Sequence, residues 1–163
     1  MKLSEYQAAA HTTACHGNTL AYPISALAEE TGEVLSVWGD WVRNAEYLNI
    51  QFDDIKAKLL DEIGDVYWNL AELATLVDVD LDELDKYASA NHVSNAVSIS
   101  YYMSQLVTAV GKVNGHWAKY IRKHDGHQPT TEEVAFSLCW RKFRTRNGSV
   151  PRRCVVRWRM DAS

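Results

Sequence analysis

From residue 4 to residue 122 the chain holds a single proline, Pro23, and its apolar residues recur three and four positions apart. Leu27, Val34, Val37 and Trp41 form one such series; Leu59, Ile63, Val66, Leu70 and Leu73 form another. That spacing lines one face of a helix, whereas a half-buried strand requires alternation. No useful alternating run occurs before "CVVRW" at 154–158, so the expected fold class is all-α. At 163 residues and 47% hydrophobic content, the chain is long enough to bury a core as one domain or two very small ones.

Local signals place the helices. Starts are expected at Ser4, ahead of Glu5, and near Pro23, which suits a first helical turn. A looser segment, "NAEYLNIQFDD", is expected to join a helix ending near Arg43 to one beginning around Asp53 or Asp54. Asp80, with Glu83 three residues on, marks the cap of a short helix. The pattern gives about four helices in the first 90 residues.

Charge divides the chain. Before residue 141 there are nine Lys+Arg against twenty Asp+Glu, and from Arg141 onward eight basic residues against Asp161 alone. No apolar run is long enough to span a bilayer, and "MKLSEYQAAAH" lacks the apolar core of a secretory signal, so a cytoplasmic protein without membrane contact is expected. Cys15, Cys139 and Cys154 form no metal or disulfide pattern and are read as free thiols.

The acids of the body are not spread evenly. "ALAEETGEVLSVW" carries Glu29, Glu30 and Glu33, and "LLDEIGDVYW" carries Glu62 and Asp65, at i,i+3 and i,i+4 spacings that share a helix face. Like charges one turn apart destabilise a helix, so a plain surface would gain from a lysine at one of these positions. Both clusters cut into apolar stripes, and two such helices packed antiparallel bring four or five carboxylates together. Such a group raises its own pKa values or takes a counter-charge, which a hard divalent cation with oxygen ligands, Mg²⁺ or Mn²⁺, supplies. The competing reading is a solvated acidic face.

Part of the chain repeats. Sliding by 79 positions lays the segment from Tyr22 on that from Tyr101, matching Tyr, Ser, Leu, Gly, Val, Trp and Arg, while Glu29, Glu30 and Glu33 meet Thr108, Ala109 and Lys112. The copy keeps the packing residues and loses the acids.

"EETGE", 28 residues, then "EIGD" resembles the EExxE…ExxD signature of the MazG-like, all-α nucleoside triphosphate pyrophosphohydrolases, and "LSEYQAAAHTTA" is similar to their first helix. The resemblance covers residues 4–92 and, as a degenerate copy, 98–124. It implies a helical bundle in tandem form: a catalytic half at 1–92, a degenerate second repeat at 93–140 packing on it, and an irregular basic tail at 141–163. It further implies Mg²⁺-dependent hydrolysis of an NTP or dNTP between the α and β phosphates. Glu30, Glu33, Glu62 and Asp65 would be the metal ligands, and Glu29 would orient or deprotonate the attacking water.

The resemblance also implies a phosphate contact at Lys58, one turn before Glu62, and aromatics holding the base, with Trp38, Trp41 and Trp68 the candidates; Asn69, next to Trp68, is a further candidate for a hydrogen bond to a base edge. Asn91 matches a family asparagine, but the basic pair expected after it is missing, and Lys119, Arg122 and Lys123 are the substitutes. Each has a plain alternative, a solvated base or a core tryptophan. The partner expected is a nucleoside triphosphate, with association either as a homo-oligomer or as an intrachain pseudo-dimer. A dedicated dUTPase-like enzyme is the nearest variant. The rival from another class is a non-catalytic helical module binding nucleotides, or nucleic acid through the Arg-rich tail with Phe143 and Trp158.

Overall fold

The computed structural model describes residues 1–17, 19–90 and 98–123, with side chains for all of these except 87–90. Every regular element among them is helical: α1 (Leu3–Thr12), α2 (Ala21–Leu48), α3 (Phe52–Leu76), α4 (Leu81–Ala90) and α5 (Ile99–Lys123). The all-α expectation holds, with four helices in the first 90 residues. No described helix is long and apolar enough to cross a membrane. Asn18, residues 91–97 with Asn91 among them, and the segment 124–163, including the basic tail, lie outside the described residues.

α2 and α3 form an antiparallel hairpin, the most extensive helix pairing among the described residues, with α1 laid on α3, α5 on α2 and α4 against α1. The expected helix end near Arg43 is overturned, because α2 runs on to Leu48. The segment "NAEYL" contains good helix formers. A left-handed Asn49 (φ 51°), a conformation asparagine tolerates, then stops the helix. The N–H of Ile50 closes on the carbonyl of Ala45 at 3.1 Å, and the indole N–H of Trp41 donates to the Ile50 carbonyl at the same distance. α3 starts at once, capped by Gln51, whose N–H donates to Asp54. The expected cap at Asp80 is present: its carboxylate accepts the Asp82 N–H at 2.7 Å.

The core follows the apolar stripes. Leu20, Ile24, Leu27, Val34 and Val37 interlock with Leu59, Val66, Leu73, Leu76 and Val77, and Met103 and Val110 of α5 close the far side. A smaller cluster of Ala10, Ala71, Ala74 and Leu81 seats α1, where alanines let the helices approach closely. Gln7 knits this side together: its amide donates to the Val79 carbonyl at 2.8 Å and accepts from the Leu81 N–H at 3.0 Å, serving the turn between α3 and α4.

Asp82 does the same for the start of α1. It accepts from the Leu3 N–H at 3.0 Å and the Ser4 hydroxyl at 2.5 Å, and the Ser4 bond holds its carboxyl below the ordinary 3.8. A lowered carboxylate contributes stability above its unfolded pKa and loses it as pH falls through the folded one. Asp82→Ala should therefore lower the melting midpoint by a few degrees at neutral pH. The deficit should close below pH 3.8 when followed by circular dichroism.

Candidate functional site

The helical repeat decides which acids approach one another. Leu27, Thr31 and Val34 form the buried stripe of α2, with Thr31 bonded through its hydroxyl to the Leu27 carbonyl at 2.7 Å. At 100° per residue Glu30 borders this stripe, Glu33 lies farther out and Glu29 points away from it. Accordingly Glu30 is half-buried, while Glu33 and Glu29 are exposed. On α3, Leu59 and Val66 are buried, and half-buried Glu62 and exposed Asp65 stand beside them facing the same crease.

Across that crease one carboxylate oxygen from each of Glu30, Glu62 and Asp65 lies within 4.8 Å of the others. Burial, followed by the charges of Asp65, Glu33, Glu29 and Glu62, raises the Glu30 carboxyl above its ordinary 4.5. Glu62 is raised too, by partial desolvation and then by a hydrogen bond with Glu33. Three acids thus converge and Glu33 joins through Glu62, whereas Glu29 acts on the group only as a nearby charge. Among the described residues no lysine or arginine forms an ion pair with any of them. Lys58, exposed one turn before Glu62, offsets part of the repulsion on that residue. Tyr6 of α1 also borders this field, its hydroxyl pKa raised by burial and then by Asp65.

The other expected residues fall into separate places. Trp38 packs on the core and stands 5.0 Å from Trp41, which meets Phe52 edge-on at 5.7 Å, so this pair closes the elbow of the hairpin. Trp68 lies on the opposite side of the acids, its indole N–H donating to the Thr13 hydroxyl at 2.9 Å. Asn69 is buried beside it. Lys119 and Arg122 are exposed on the final turns of α5 and pair with none of the acids.

Glu72 went unnoticed in the sequence reading. It is 1% exposed and lies 2.9 Å from Nδ1 of His11 and 3.4 Å from Nε2 of His16. A lone acid inside "NLAELATL" was the available signal, because an isolated carboxylate among core residues requires a partner. Against known proteins, the chain matches no family model, no curated protein and no solved structure.

Proposed function

We propose that the protein hydrolyses nucleoside triphosphates between the α and β phosphates, releasing the monophosphate and pyrophosphate, with Mg²⁺ or Mn²⁺ held by Glu30, Glu62 and Asp65. The observation that carries this reading is the convergence of those three carboxylates from two helices within 4.8 Å, with no ion-paired lysine or arginine among the described residues. The donor set is all oxygen, which suits a hard divalent ion and disfavours zinc or copper. The raised pKa values of Glu30 and Glu62 mark a group short of positive charge.

When bound, such an ion neutralises phosphate oxygens and acidifies water. The chain's own residues supply the rest. Glu33, exposed and bonded to Glu62, faces solvent where a water can be oriented toward the α phosphorus; Glu29 adds negative charge from the outer face. The water oxygen bonds to that phosphorus, the bridging P–O bond breaks toward pyrophosphate, and the water's proton passes to a carboxylate. Lys58, near Glu62 and without an ion pair among the described residues, would contact a leaving phosphate oxygen. With a panel of NTPs and dNTPs, wild type should yield pyrophosphate and monophosphate. Orthophosphate as the first product, or no turnover of any nucleotide, would refute the reading.

Metal linkage gives a separate expectation. Because Glu30 and Glu62 are raised above 4.5, the folded chain keeps protons that the unfolded chain has released, and metal-free stability falls as pH rises through that window. At pH 7.5, Mg²⁺ at a hundred times its dissociation constant should add about 2.7 kcal/mol, or roughly 5–10 °C in midpoint. The gain should shrink as acid protonates the cluster, measured by thermal denaturation at several pH values.

A further inference from the structure

The 79-residue repeat of the sequence is also a repeat of elements. Shifted by that amount, α1 and α2 start at positions 82 and 100, and α4 and α5 start at Leu81 and Ile99. The contacts between the halves pair each helix with its own copy, α1 with α4 and α2 with α5, the pattern that a two-fold relation between equivalent surfaces produces. In the first half α3 packs on both α1 and α2. The same shift puts the start of its copy at position 131.

Burial on α5 shows where that copy belongs. Ile24 and Thr31 of α2 are 1% and 4% exposed, and their copies on α5, Met103 and Val110, are 8% and 7% exposed, so this stripe is covered in both halves. The flank beside it is not. Leu20, Leu27 and Val34 are 3%, 3% and 0% exposed, whereas Ile99 is 39% exposed and Leu106 and Val113 are half-buried. α2 is covered by α3 as well as α5; among the described residues α5 packs on α2 and on no other helix to a comparable extent. One absent helix accounts for the difference.

We propose that this flank of α5 is the docking surface for the chain's own residues 131–143, lying antiparallel to α5 as α3 lies on α2. The shift sets Asp53, Asp54, Ile55 and Leu59 of α3 on Glu132, Glu133, Val134 and Leu138. Ile55 and Leu59 pack into the hairpin core, and Val134 and Leu138 keep their spacing of four, one face of a helix. Charge favours the same direction: an antiparallel return brings Glu132 and Glu133 beside Lys119, Arg122 and Lys123, exposed on the last turns of α5. Residues 124–130 suffice for the connection, since neighbouring helices are joined by about 2–8 residues. Past Leu138 the copies of Glu62 and Asp65 are Arg141 and Arg144, so the second half repeats the packing without the acidic group.

The register makes the test sharp, because the other apolar residues of the segment, Phe136, Cys139, Trp140 and Phe143, copy Ala57, Leu60, Asp61 and Gly64, all exposed on α3. In the full chain, Leu138→Asp should lower the melting midpoint by about 5 °C or more, and Cys139→Asp, the same charge on the outer face, by less than about 2 °C. In wild type, amide hydrogen exchange across 134–139 should be slowed about a hundredfold or more, to the same degree at two protein concentrations tenfold apart. The wild-type measurement decides the matter should Leu138→Asp not fold. Equal effects of the two substitutions, a larger effect at Cys139, exchange as fast as in an unstructured peptide, or protection that grows with concentration and so makes the occupant a second copy, would overturn the proposal.

Discussion

Glu62→Gln should cut pyrophosphate release by about a hundredfold or more while raising the metal-free melting midpoint. Glu62 is the hub of the cluster: its carboxylate lies within 4.8 Å of those of Glu30 and Asp65, and it shares a hydrogen bond with Glu33. The amide keeps the shape of the side chain but removes a negative ligand and adds a donor. At neutral pH the neighbours no longer repel it, so the folded state gains. A purely structural residue would move stability and activity in the same direction. The opposite movement expected here is the signature of a site whose charge is kept for binding at a cost in stability, and thermal denaturation beside a turnover assay reads both.

The largest effect on stability is expected at Ile24. It is 1% exposed, at the contact between α2 and α3, in the same cluster as Leu27, Leu73 and Met103. Ile24→Ala should cost about 2–5 kcal/mol, because transfer free energy is lost and the helices close the cavity only in part. In a domain of this size that lowers the midpoint by roughly 5–15 °C. Leu60→Ala, at a position 57% exposed on the same hairpin, should change it by less than about 0.5 kcal/mol. Chemical denaturation of the three proteins measures the contrast, and similar losses at both positions would contradict the packing described.

Periodicity and capping made the helices legible. The stripes Leu27–Val34–Val37 and Leu59–Val66–Leu73 report burial directly, and Asp80 caps α4 through a local bond that three residues suffice to encode. The convergence of Glu30, Glu62 and Asp65 follows from their positions beside those stripes once α2 and α3 pair antiparallel. The length of α2 was less visible, since Asn44 and Asn49 resemble loop composition and the feature that ends the helix is the left-handed cap at Asn49. Glu72 was hidden for another reason: its partner His11 is 61 residues away, and long-range pairing of a buried charge leaves no periodic trace. Trp41 illustrates the same limit, because its hydrogen bond to Ile50 belongs to the tertiary elbow and to no sequence motif.

The proposed function requires the acidic group of α2 and α3 to hold the cation on which phosphate cleavage depends. The most direct measurement is the rate of pyrophosphate release as Mg²⁺ is titrated, with wild type and Glu62→Gln side by side and chelator as the zero point. The expected result is a saturable rise in wild type that chelator abolishes, and a flat response in Glu62→Gln. Release that persists without metal, or an equal rise in both proteins, would contradict it.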